Sequence, residues 1–161
     1  MEREGITAIA MDMWDMWEPY RKTVRADVPE ADAKIVFDKF HVIAHVTSAV
    51  DQVRKQEHKA LAAVGDTQLK GTKYAWLKNP KNFSRKAWRE FAALRDSALK
   101  SARAWALEES LRPLWEYKYV GAARTFFKWW YGCAMRSQLE PMKRVARMIR
   151  SHLEYILTYL T

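Results

Sequence analysis

The first 41 residues constrain the fold more than any other stretch. Ile6-Thr7-Ala8-Ile9-Ala10-Met11 is a short apolar run that closes on Asp12, and Ala33-Lys34-Ile35-Val36-Phe37 is a second that closes on Asp38. Between them an amphipathic stretch, Asp15 to Ala26, carries Trp17, Tyr20 and Val24 at helical spacing, with Val28 continuing the same face. Pro19 falls in its first turn, where a missing N–H costs least, and Pro29 ends it. Strand, helix, strand at this length is the pattern of a parallel crossover. Both strands then point the same way, which places Asp12 and Asp38 at one sheet edge, the edge where open α/β sheets carry their chemistry. A single such unit is not a stable sheet, since roughly three strands are needed. The pattern therefore reads as a piece of a larger protein.

After Asp38 the apolar period changes from strand to helix. Phe40, Ile43, Val46, Val50, Val53, Glu57, Leu61 and Val64 recur every three or four residues, predicting one long helix over 38–64 with Gly65 as its stop. Arg54, Lys55, His58 and Lys59 are expected on its far face. Residues 65–81 read as an irregular connection with a short structured piece at Tyr74–Leu77. Ser84 is placed to cap a helix through Trp88, Phe91 and Leu94. Another helix is expected over 97–109, broken by Pro113, and an aromatic-rich one over 120–135. The last starts at Glu140-Pro141, with Met142, Val145, Met148, Ile149, Leu153, Ile156 and Leu160 as its apolar stripe and Lys143, Arg144, Arg147 and Arg150 opposite.

Charge is distributed unevenly along the 161 residues. Residues 1–51 hold 6 Lys/Arg against 10 Asp/Glu, whereas the remainder holds 22 against 9. An acidic sheet edge joined to a strongly basic helical region suggests a metal site beside a polyanion-binding surface, with a solvated basic exterior as the plain alternative. The single cysteine, Cys133, excludes an internal disulfide framework and fits a reducing compartment. No apolar run approaches the roughly 20 residues of a membrane span, and Met1-Glu2-Arg3-Glu4 opens no signal peptide. A cytoplasmic protein with no membrane partner is expected.

Candidate site residues each have a second reading. Asp12 and Asp38 suit either a metal site or the capping of the helix that follows. His41 and His45 lie one turn apart and could bind metal, although no cysteine supports a closed zinc site. The aromatic run 126–131 suits core or base stacking. No glycine-rich phosphate loop, Ser/His/Asp order or zinc-finger spacing occurs.

Taken together, several stretches resemble the central part of ISL-type insertion-sequence transposases. They are Ala10-Met11-Asp12-Met13-Trp14, Glu18-Pro19-Tyr20, Ile35-Val36-Phe37-Asp38-Lys39-Phe40-His41-Val42, the run Ala49 to Leu61, Leu69 to Leu77, Ala104-Trp105-Ala106 and Arg136 to Arg147. The likeness covers nearly the whole chain. It implies a DDE enzyme on an RNase H-like core, in which two Asp and one Glu hold two Mg2+ or Mn2+ ions for DNA strand cleavage and transfer. By that match Asp12 is the second catalytic Asp and metal ligand, and Asp38 and His41 form the D-x-x-H motif after the next strand. The fold class implied is α+β, mostly α: a partial RNase H-like core over 1–41, with two parallel strands and a crossover helix, then an all-helical insertion over 42–161.

Three departures accompany the match. The first Asp has no counterpart before Ile6. No suitable residue supplies the Glu, because Glu154 stands in the wrong context. Asp12-Met13-Trp14 is also repeated at once as Asp15-Met16-Trp17, leaving Asp15 as the alternative carboxylate. A fragment inactive alone is therefore expected, binding DNA through Arg54, Lys55, Lys59, Lys143, Arg144, Arg147 and Arg150. The other reading is a non-catalytic helical protein that binds DNA or pairs with itself or with full-length transposase.

Overall fold

The computed structural model describes residues 9–11, 22, 26–27, 35–158 and 160. Strands β1 (Ile9–Met11) and β2 (Ile35–Phe37) pair in parallel, with Ile9 opposite Ile35 and Met11 opposite Phe37. Seven α-helices are described after them: α1 (Lys39–Ala63), α2 (Lys73–Leu77), α3 (Arg85–Arg95), α4 (Lys100–Leu111), α5 (Val120–Arg136), α6 (Glu140–Ser151) and α7 (Leu153–Thr158). Short 3₁₀ turns occupy Pro80–Asn82 and Arg112–Glu116.

This corrects the expected fold class. The described residues form a helical body, and the two-strand RNase H-like core is not what organises it. The β-structure among them is one pair of three-residue strands, too little to cover a hydrophobic face. The helices instead carry apolar stripes several turns long. The expected crossover helix, with Asp12 and Asp15, lies almost wholly outside the described residues.

The long helix α1 is the axis of the body, packed against α2, α4 and α6. Its buried face is Val42, Val46, Ala49, Val50 and Val53. Val46, Val50 and Val53 belong to the expected stripe, whereas its end members Phe40 and Val64 are 78% and 80% exposed, a correction of the sequence expectation at both helix ends. Asp38 caps its start, accepting from the Phe40 N–H at 2.9 Å. Gly65, at φ 81°, closes its end: the Gly65 N–H donates to the Ala62 carbonyl at 3.1 Å and Asp66 N–H to Leu61 at 2.9 Å. That pair of bonds satisfies carbonyls the helix leaves over and requires a left-handed residue, which glycine adopts without a Cβ penalty.

Aromatic residues fill part of the core. Trp76, Phe91 and Trp105 meet edge to face, with centroids 4.8 Å and 5.5 Å apart. Trp130 of α5 is fully buried and donates its indole N–H to the Leu107 carbonyl at 2.8 Å. The aromatic run therefore divides: Phe127 and Trp130 are core, while Trp129 is 56% exposed.

Two boundaries differ from the sequence reading. Helix α4 begins at Lys100 rather than near Ser97, because Ser97 is used in the preceding turn, donating to the Leu94 carbonyl at 2.6 Å. The last helix is broken at His152, which adopts φ −114° and ψ 12°, so its stripe is shared by α6 and α7.

Candidate nucleic-acid interface

Helices α1 and α6 pack side by side, and their polar faces meet at the surface. On α1 the exposed residues Gln52, Lys55, Gln56 and Lys59 share one face, three or four apart. Arg144 of α6 crosses to this face, donating to the Gln52 side-chain carbonyl at 3.1 Å. Arg147 is exposed and pairs with Glu140 at 3.3 Å on its own helix. Arg150 turns to the other side and donates to the Tyr131 hydroxyl of α5 at 3.3 Å. Arg144, Arg147 and Arg150 thus step around α6 from its α1 edge to its α5 edge. Lys143 is half-buried on the same helix.

One predicted surface cation is corrected. Arg54 is 7% exposed, and its guanidinium is bound to Asp51 at 2.8 Å. Lys55, from its exposed position, holds the other Asp51 oxygen at 2.9 Å. Burial pushes the Asp51 carboxyl up, but hydrogen bonds from Lys55 and Arg54, with their charges, outweigh it and hold the group below its ordinary value. Arg54 is therefore an internal counter-ion on α1, and Lys55 and Lys59 are left as that helix's outward cations.

Asp38 and His41 occupy the first turn of α1. The Asp38 carboxylate serves the helix end, and His41 is exposed beside Phe40, which is 78% exposed. Asp12 lies outside the described residues. Among the described residues no group of three or more His, Cys, Asp and Glu could hold a metal ion. Those residues by themselves do not fit the divalent ions implied by the resemblance.

Two acidic residues, Glu57, which the sequence places only in the α1 stripe, and Glu108 hold α1 and α4 together. Glu57 of α1 accepts the backbone N–H groups of Lys100 and Ser101, each at 2.7 Å, and the Ser101 hydroxyl at 2.7 Å. It caps α4, whose own N-cap residue, Leu99, offers no side-chain oxygen. Glu108 of α4 is 3% exposed. It accepts from the Thr47 hydroxyl at 2.6 Å and from Arg112 at 3.3 Å, leaving its second oxygen unpartnered. Burial raises its pKa to about 7 against the opposing pull of Thr47 and Arg112. The available signal was an acidic residue inside an apolar stripe: Glu57 sits between Val53 and Leu61, and Glu108 between Trp105 and Leu111.

Comparison with known proteins bears on what this surface serves. A family model described as "Transposase" matches residues 1–161. The transposase for insertion sequence element IS1001 of Bordetella parapertussis is 26% identical over 157 residues, covering 96% of this chain and 37% of that protein. No solved structure matches the chain. Among the described residues, no helix is long and apolar enough to cross a membrane.

Proposed function

The chain belongs to the ISL3-type transposase family, and from that premise we propose that its helical body holds DNA during insertion-sequence transposition and does not cut a strand alone. The observation that carries this reading is the cationic outer face. Lys55 and Lys59 share an exposed face of α1 with Gln52, to which Arg144 of the packed helix α6 donates, and Arg147 is exposed one step further around α6. Cations on a rigid surface contact backbone phosphates and release the counterions condensed there, giving affinity that tolerates sequence. The Arg147–Glu140 pair is exposed on both sides, so a phosphate can exchange for that carboxylate at small cost, whereas Lys55 is exposed but its partner Asp51 is largely buried.

Strand cleavage in this reading belongs to a longer enzyme, of which the chain corresponds to the central part. Asp12 is its contribution to the catalytic carboxylates. The Mg2+ or Mn2+ ions of the family's chemistry would need Asp12 together with carboxylates that the described residues do not supply. Asp38 and His41 open the helix that fixes the body to the strand end.

Binding of a labelled duplex, followed by anisotropy across a salt series, tests the DNA-holding role. Affinity is expected to fall steeply as salt rises, and Arg144→Gln with Arg147→Gln to reduce the salt slope by roughly one for each phosphate no longer neutralised. Binding indifferent to salt, or absent at low salt, overturns it. A nicking assay with Mg2+ or Mn2+ tests the second half: no cleavage is expected, and cleavage that Asp12→Asn abolishes would contradict it.

A further inference from the structure

On the α5 side of α6 lies a cleft of about 630 Å³. Arg124, Lys128 and Arg136 of α5 and Arg150 of α6 line it, and no acidic side chain is among its lining residues. Only Arg150 stands out from the sequence as a DNA contact, because the α5 cations are dispersed through an aromatic helix. Arg124 is already paired with Glu154 of α7, which leaves Lys128, Arg136 and Arg150 as like charges around one concavity that repel one another unless an anion joins them.

Two of the four, Arg150 and Arg124, are held by partners on neighbouring elements, and a third lies close along its own helix. The Arg150 guanidinium lies over the Tyr131 ring, 4.9 Å from its centroid, and also bonds the Tyr131 hydroxyl. Arg124 forms a two-pronged pair with Glu154 of α7. Arg136 folds back along α5 over Gly132, where a Cβ would come within 3.1 Å of its Nη1. Glycine weakens a helix interior, yet here it gives the Arg136 guanidinium room to lie close to the helix. Guanidinium forks fixed in advance lose little freedom on meeting an anion and match the geometry of phosphate oxygens.

The cleft also continues the outer face described above. Arg150 is the last of three arginines stepping around α6, and Leu153 carries the cleft wall onto α7. Helix α7 packs against β2, the strand that leads into Asp38.

We propose that this cleft seats a backbone phosphate of the DNA strand that crosses α6, extending the contact from the α1 edge towards the strand end at Asp38. The inference rests on the DNA-holding reading and adds a site to it. Lys128 and Arg136 are the contacts that test it, since Arg124 and Arg150 have structural partners as well.

The experiment compares the 161-residue chain with Lys128→Gln/Arg136→Gln and with a charge-matched control on α3, Lys86→Gln/Arg89→Gln. All three are checked for equal thermal unfolding and titrated against a labelled duplex. The cleft pair is expected to weaken binding about tenfold and to lower the salt slope by roughly one or more, with the control several-fold closer to the parent. Equal losses in the two double variants overturn the cleft alone. No binding by the parent chain at low salt overturns both the cleft and the DNA-holding role. Inorganic phosphate, added at constant ionic strength, is the second arm. Displacement of DNA at low millimolar phosphate would assign the cleft to a free anion, whereas resistance supports a phosphate held within a strand.

Discussion

The junction between α1 and α4 and the outer face of α6 use the same residue types for opposite ends. In the junction Glu57 accepts at the start of α4, and one oxygen of Glu108, which is 3% exposed, accepts from both Thr47 and Arg112 while its other oxygen is buried without a partner. On α6, Arg144 and Arg147 are exposed, with partners at 3.1 Å and 3.3 Å that solvent can replace. A charge in the first place fixes how two helices meet. A charge in the second is left to meet something else. The contrast follows from solvation: removing water from a carboxylate costs several kcal/mol unless hydrogen bonds replace it, so buried charges are committed to internal partners.

The sharpest test of that contrast is pH. Glu108 holds its proton more tightly in the folded chain, with a pKa of about 7 against an ordinary 4.5. Its contribution to stability is therefore full below the ordinary value and is lost as pH rises through about 7, by roughly 3 kcal/mol in total. Chemical denaturation at pH 5 and at pH 8 should show that loss. In Glu108→Gln the same pH interval should be nearly flat, and an unchanged slope would mean that another group titrates.

Next in size is Glu57. Glu57→Ala removes the acceptor for two α4 backbone N–H groups and should destabilise the chain by about 2 kcal/mol. Glu57→Gln should recover part of this by keeping one oxygen acceptor. A loss below a few tenths of a kcal/mol in the alanine variant would show that water caps α4 equally well.

The smallest stability effects are expected on α6. Arg144→Gln and Arg147→Gln should each shift unfolding by less than about 0.5 kcal/mol, as surface changes usually do, while weakening DNA binding. If either destabilises the fold as much as Glu57→Ala, the distinction between junction and outer face fails.

Much of the helical body was legible because its signals are local. The middle of the α1 stripe at Val46, Val50 and Val53, the Gly65 stop, the Ser84 cap and Pro141 at the start of α6 each combine a residue type with a short spacing. Arg54 shows where local reading stops. Helical spacing places it next to Lys55 on a polar arc, but it lies at the edge of the buried face, close enough to Asp51 to be drawn in. A shift of one position on a helix turns the side chain by about 100°, so residues at a stripe's margin are settled by the neighbouring helix. The fold class departs from the sequence expectation for a related reason. The strand pattern at the start is strong residue by residue, yet among the described residues six strand residues in one pair do not outweigh a helical core.

The sequence by itself determined the helical periodicity, the excess of basic charge after residue 51 and the family, since these depend on residue order alone. Tertiary structure alone decided which charges stay outside. It brought Glu57 to the start of a helix that begins 43 residues later, sealed Glu108 against Thr47, and gathered Arg124, Lys128 and Arg136 with Arg150 around one cleft. Each of these depends on how helices lie against one another, and the free energy of a charge is set by the water and partners that packing leaves it.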